Sequence, residues 1–252
     1  MQFQVKNEGD FQYVEEGTGP VVFLLHGLFG ALSNFADTIN HFKDRYTVVI
    51  PILPLYRLPL DQTSVTGMVD HVDQFIQYKG YKKVNLIGNS LGGHIGIVYT
   101  LRRQENVQTL TLTASSGLFE SSLGDQYPKK SDYEYIRKKT AETFYNPDLA
   151  DKELVDEVYE IVNNREKAIR IVFLAKSAVR HNMREEIEQI TVPCNLIWGA
   201  NDTITPPFVG EEFKKLLKHS ELHILNECRH APMMERPIEF NAIMDQFLAK
   251  CN

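Results

Sequence analysis

Residues Gly88-Asn89-Ser90-Leu91-Gly92 constrain this chain most: they directly follow the apolar run Val84-Asn85-Leu86-Ile87 and lead at once into a helical pattern. Small residues two places either side of a serine let the backbone turn sharply from strand into helix. Such a turn holds the hydroxyl clear of the sheet, with the helix N-terminus beneath it. Glycine and serine are also ordinary turn residues, so the pentapeptide alone is modest evidence. The strand before it, the helix after it and two later partners make it a signature of nucleophilic serine chemistry.

Strand and helix signals alternate through the first half. Val21-Val22-Phe23-Leu24-Leu25 is a continuous apolar run, as a strand covered on both faces requires. Phe35, Ile39 and Phe42 recur at helical spacing, and residues 46–50 read as the next strand. Val65, Met68, Val69, Val72, Phe75 and Ile76 keep one helical stripe, with Ser64 or Thr63 as cap and Gly80 as stop. Residues 84–87 and 107–113 read as strands on either side of a helix, and weak alternation at 3–5 and 11–15 suggests an antiparallel start. The class is α/β, a mostly parallel central sheet flanked by helices.

From about residue 115 to about 188 the alternation stops and only helical patterns remain. Ser131 and Glu134 form a capping box. Leu154, Val158, Ile161 and Val162 make one stripe, and Ile171, Ala175, Ala178 and Val179 another. Strands resume at 194–198 and 222–225, with a helix opened by Thr205-Pro206 between them. A last helix carries Phe240, Ile243, Met244, Phe247 and Leu248. The expected organisation is a core of residues 1–114 and 189–252, with a helical cap or lid, 115–188, inserted after the sixth core strand. A lid so placed covers the carboxyl edge, where open α/β sheets bind ligands.

A serine hydroxyl at neutral pH needs an adjacent base, itself oriented by a third group. His230, in Cys228-Arg229-His230-Ala231-Pro232, follows the last predicted strand and is the candidate base. Asp202, in Trp198-Gly199-Ala200-Asn201-Asp202, follows the strand before it and is the candidate orienting acid. Singly, Asp202 reads as a turn or cap residue, His230 as a structural loop histidine and Ser90 as a turn residue. Jointly, in serine–acid–histidine order after successive strands, they read as a catalytic triad. Two backbone N–H groups should hold the developing oxyanion. The expected donors are Leu91, just after the serine, and Leu28 in His26-Gly27-Leu28-Phe29-Gly30, with Phe29 as second choice. Phe29 and Asn89 are expected to border the substrate, and His26 to hold its loop rather than act as base. His94 reads as solvated or packing within its helix, and His71 and His181 as surface residues.

Composition excludes other classes. The 252 residues suffice for one sizeable core, and 27 Lys and Arg against 33 Asp and Glu give a net charge of −6. A mild acidic excess argues against nucleic acid or an anionic membrane as main partner. Cys194, Cys228 and Cys251 lack metal-ligand spacing, so free thiols in a reducing compartment and no metal are expected. The N-terminal residues lack a signal-peptide profile, and no apolar run near them approaches a membrane span. A cytoplasmic protein, monomer or homodimer, is the reading.

These residues carry a resemblance. The chain resembles the α/β-hydrolase superfamily over essentially its whole length, specifically the compact lidded serine hydrolases that include small carboxylesterases and C–C bond hydrolases. The likeness rests on His26-Gly27, Gly88-Asn89-Ser90-Leu91-Gly92-Gly93, Trp198-Gly199-Ala200-Asn201-Asp202 and the His230 loop. It implies the same triad, acting with no cofactor. One departure is visible: relatives commonly carry an Asp and a Gly-rich turn where this chain has Pro51-Ile52-Leu53-Pro54-Leu55-Tyr56-Arg57-Leu58-Pro59.

The expected activity is cleavage of a carboxylic ester or thioester of a small to medium apolar acyl group through an acyl-enzyme. A C–C bond hydrolase of vinylogous diketones is the alternative within enzymes. A ligand-sensing protein that retains the triad is the alternative outside them. Dehalogenase and epoxide hydrolase chemistry is disfavoured, because a carboxylate would be expected where Ser90 stands.

Overall fold

Five consecutive apolar residues build β3 (Val21–Leu25), and their side chains alternate between two cores. Phe23 and Leu25 join one core with Val49, Leu86 and Trp198, while Val22 and Leu24 join the other with Val48, Ile50 and Ile197. Period-two alternation thus feeds both faces of one sheet, which is why β3 carries no polar residue. A computed structural model describes residues 3–29, 32–119 and 132–251.

Around β3 run β1 (Lys6–Glu8), β2 (Phe11–Glu16), β4 (Thr47–Pro51), β5 (Val84–Asn89), β6 (Val107–Thr113), β7 (Cys194–Gly199) and β8 (Ser220–Leu225). They form one eight-stranded sheet among the described residues, in the order β1-β2-β4-β3-β5-β6-β7-β8. The β1–β2 and β2–β4 pairs are antiparallel; from β4 to β8 every neighbour is parallel. The first strand lies at Lys6–Glu8 rather than at the expected 3–5. A tight turn at Gly9, with φ 57°, closes the hairpin and sets pairing outward from Glu8↔Phe11, so the apolar alternation of residues 3–5 stays outside the ladder.

Helices α2 (Val65–Lys79), α3 (Leu91–Arg102) and α7 (Pro207–Leu216) contribute to the first core. The second takes α1 (Ala36–Phe42), α8 (Pro232–Glu235) and α9 (Pro237–Cys251). All six residues of the predicted α2 stripe are buried. Ser64 caps that helix by accepting from the Gly67 N–H at 3.1 Å, and Gly80 ends it in the left-handed region. The helix after β7 opens at Pro207 rather than at Thr205-Pro206, because Pro206, itself followed by proline, is held extended at ψ 157°.

Between β6 and β7 lie α4 (Tyr133–Ala141), α5 (Lys152–Asn163) and α6 (Arg165–Arg180). Ser131 of the expected capping box lies outside the described residues; Asp132 caps α4 through the Tyr135 N–H at 3.0 Å. In α5 the buried residues are Val155 and Ile161. In α6 they are Ile171, Leu174 and Ala178, whereas Val179 of the expected stripe is 51% exposed. The α6 stripe turns toward α2, where Ser177 Oγ accepts the Val65 N–H at 3.0 Å.

Candidate active site

The β5–α3 junction is strained. Ser90 sits at φ 54°, ψ −120°, a region L-residues avoid, and such a conformation costs about 1–3 kcal/mol. Its surroundings hold it there. The Ser90 N–H donates to the Thr113 carbonyl at 3.2 Å, and the Ser90 carbonyl accepts from Gly93, His94 and Ser116 at 3.0, 3.2 and 3.2 Å. The following turn needs glycine: a Cβ on Gly92 would lie 2.1 Å from the Leu25 carbonyl oxygen and 2.7 Å from that of His26. Leu91 opens α3, so its N–H belongs to the first helical turn, which has no intrahelical acceptors.

The loop after β3 approaches the serine closely, since a Cβ on Gly27 would lie 3.2 Å from Ser90 Cβ. His26 is buried and braces this loop. Its Nδ1–H donates to the Gly27 carbonyl at 2.8 Å, and its Nε2 accepts the Leu53 N–H at 3.4 Å. Burial holds the imidazole below its usual pKa, against the Gly27 carbonyl, which raises it. The proline-rich segment after β4 therefore fixes the loop, with Leu53 and Leu55 both buried. Leu28 and Phe29 are half-buried beside it.

Asp202 and His230 meet across the ends of β7 and β8. His230 Nδ1–H donates to Asp202 Oδ2 at 2.9 Å, with the carboxylate side chain 0% and the imidazole 10% exposed. The other Asp202 contacts are the Ile204 N–H at 2.8 Å, the Thr205 N–H at 3.1 Å and the Thr205 hydroxyl at 2.9 Å. Four donors fill the carboxylate's acceptor capacity and fix its plane. A proton on Nδ1 leaves Nε2 of the neutral ring as the free base.

Both backbone groups of His230 are also satisfied. Its N–H donates to the Thr143 carbonyl at 3.2 Å, and its carbonyl accepts from Asn89 Nδ2 at 3.1 Å. The same Asn89 nitrogen donates to the Thr113 carbonyl at 3.1 Å. Asn89, expected at the substrate, is thus buried with its amide nitrogen engaged by two carbonyls.

Sequence reasoning missed Thr205, Thr143 and Glu235, whose Oε1 accepts the Arg229 N–H beside His230 at 2.9 Å, as members of this cluster. An Asp followed three places later by Thr is a turn signature that could have found Thr205. Thr143 acts through its main chain, which no side-chain pattern reveals. His94 packs rather than being solvated, and His181, expected at the surface, is half-buried against it: the rings stack at 5.2 Å between centroids, with Nε2 and Nδ1 3.2 Å apart. Among the described residues, no His, Cys, Asp and Glu cluster suits a metal ion, and no helix is long and apolar enough to cross a membrane.

The model of the alpha/beta hydrolase fold family matches residues 20–166. Among solved structures, an alpha/beta hydrolase enzyme from the metagenome of sediments of the Mar Chica lagoon, Morocco, is 40% identical, with 98% of each chain covered and a TM-score of 0.82. A monoacylglycerol lipase, abhd6-B of Xenopus laevis, is 25% identical over 99% of this chain and 82% of its own length. A 2-hydroxy-6-oxononadienedioate/2-hydroxy-6-oxononatrienedioate hydrolase of Pseudomonas sp is 24% identical over 96% of this chain and 93% of its own.

Proposed function

This chain belongs to the alpha/beta-hydrolase family and is a hydrolase by kinship, and from that premise we propose that it is a serine hydrolase acting on carboxylic esters or thioesters. The observation that carries the reading is the buried Asp202–His230 hydrogen bond of 2.9 Å, on the sheet rim where the strained Ser90 turn also lies.

In this mechanism His230 Nε2 takes the Ser90 proton as Oγ attacks the acyl carbonyl. The carbonyl π electrons move onto oxygen, and the N–H groups of Leu28 and Leu91 hold the resulting oxyanion. Asp202 keeps the imidazole in the Nδ1–H form and stabilises its protonated state. Collapse expels the alcohol or thiol, which takes the proton from His230 and leaves the acyl group on Ser90. Water, deprotonated by His230, repeats the sequence and releases the acid. Each oxyanion donor of this kind contributes roughly 10²–10³ in kcat.

Residues 115–188 act as the lid in this reading, a role supported by their position after β6 and by the contact of Thr143 with His230. Asn89 braces the site instead of touching substrate. Half-buried Leu28 and Phe29 suit an apolar acyl group of small to medium size. The reaction needs no metal or organic cofactor, and the partner is a small ester-like molecule. Likeness to the Pseudomonas hydrolase supports a second reading, cleavage of a C–C bond in a vinylogous diketone.

A panel of p-nitrophenyl esters and thioesters of graded chain length, assayed beside a vinylogous diketone ring-fission product, separates the two. The expected result is fast ester turnover that Ser90→Ala abolishes while the circular dichroism spectrum is unchanged. Undiminished turnover by that variant refutes the nucleophile, and a higher kcat/KM on the diketone selects the second reading.

A further inference from the structure

We propose that Glu235 is a positioning residue for His230 and couples it to the helical insertion, an assignment that rests on His230 being the base of the proposed reaction. Glu235 stands at the end of the one-turn helix α8, directly after the histidine loop. Its side chain reaches back over that loop. Oε1 accepts the Arg229 N–H at 2.9 Å and the Ala231 N–H at 3.4 Å, so the amides on both sides of His230 end on one carboxylate oxygen. The geometry works like a capping box, in which an acidic side chain in the first turn satisfies the N–H groups at the helix entrance.

The second oxygen faces the insertion. Oε2 accepts the Tyr145 N–H at 2.6 Å, and the Arg229 Nη1–H donates to the Glu142 carbonyl at 2.9 Å. Together with the His230 N–H to Thr143 carbonyl bond, residues 142–145 are tied to 229–235 at three points. Glu235 is the side chain that grips both segments. A shift of the insertion therefore reaches the imidazole through main-chain hydrogen bonds, and a displacement of about 1 Å at a reacting group costs on the order of 10²-fold in rate.

The two oxygens can be separated experimentally. A glutamine at 235 keeps one acceptor oxygen but sets an NH₂ against the remaining N–H donors. It can hold the Arg229 and Ala231 amides only by giving up Tyr145. An alanine holds neither.

The test measures kcat and KM on a p-nitrophenyl ester for wild type, Glu235→Ala and Glu235→Gln, each normalised to burst-titrated active sites. The low-field proton resonance of the His230–Asp202 hydrogen bond is recorded alongside. We expect Glu235→Ala to lower kcat per titrated site about 10- to 100-fold, with KM little changed and the resonance shifted or lost. Glu235→Gln should recover kcat in part, staying below wild type with the resonance still shifted, because the Tyr145 N–H loses its acceptor. Should the alanine variant not fold, the glutamine variant still decides: an unmoved resonance with wild-type kcat and KM per titrated site for each soluble variant overturns the assignment, as does a loss confined to the number of active sites. His230→Ala, run in parallel, distinguishes the premise. If it leaves turnover intact, the base reading fails; if it abolishes turnover while Glu235→Ala does not lower it, only the role of Glu235 fails.

Discussion

The side-chain amide of Asn89 donates to the main-chain carbonyl of His230 at 3.1 Å, so the residue preceding the serine holds the loop that carries the histidine. The two lie 141 positions apart in the chain, yet one hydrogen bond links the end of β5 to the loop after β8. A second donation, to the Thr113 carbonyl, fixes the amide plane. The site is therefore held from beneath as well as through the Asp202 carboxylate.

Asn89→Ala leaves the carbonyls of Thr113 and His230 without this donor in a buried setting. A carbonyl stripped of its partner costs about 1–3 kcal/mol, and urea unfolding should show a loss of that size. Ester turnover should fall in kcat more than in KM, because the His230 loop loses its anchor while the substrate-facing groups remain. A rise in KM with unchanged kcat would return Asn89 to the substrate pocket.

Asp202→Asn replaces an acceptor of four hydrogen bonds with a group that has only one acceptor oxygen. An NH₂ opposite His230 favours the tautomer protonated on Nε2, which cannot take the serine proton. We expect kcat to fall on the order of 10⁴-fold, as this exchange does in a serine triad. Turnover within tenfold of wild type would remove Asp202 from its role.

Gly92→Ala and Gly96→Ala lie one turn apart in α3 and should behave oppositely. A methyl on Gly92 meets backbone oxygen at 2.1 Å, and neither Leu25 nor His26 can yield without distorting the serine turn. On Gly96 the nearest atom is Leu110 Cδ1 at 3.3 Å, a side-chain end that can give way. Alanine there gains about 1 kcal/mol of helix propensity to set against the crowding. Thermal melts should show Gly92→Ala unfolded or inactive and Gly96→Ala close to wild type.

Acid should destabilise the fold before its carboxylates titrate. Burial, reinforced by His181, pushes His94 from 6.5 down to about 3, and burial likewise lowers His26. The unfolded chain binds these protons at a pH where the folded chain refuses them. Their contribution is therefore present above about 6.5 and is lost as pH falls toward the folded values. Each histidine contributes up to about 1.4 kcal/mol per pH unit within that window. Urea midpoints measured between pH 7 and 5 should fall, and His94→Gln should flatten the slope. Constant midpoints across that range would contradict the burial of these rings.

Much of this protein was legible in its residue order. The apolar run at β3, the six-residue stripe of α2, Ser64 as its cap and Gly80 as its stop all stand where the pattern placed them. Each depends on neighbours within a few positions, so local chemistry settles it. The same holds for the serine turn, because glycine at 92 is the residue that admits the approach of the Leu25 carbonyl. Order along the chain also set the candidates Ser90, Asp202 and His230, since parallel strands bring their carboxyl ends to one edge.

Only the folded chain decided what surrounds them. Thr143 offers a carbonyl, Glu235 gathers amides from two segments, and Asn89 points its amide at a loop more than a hundred residues away. A main-chain acceptor carries no residue-type signal, and a carboxylate reaching back over its own loop reads in sequence as an ordinary first-turn acid. Sequence determines which groups can do chemistry at the rim. Tertiary packing determines how tightly they are held, because each hydrogen bond that fixes the imidazole depends on where distant backbone comes to rest.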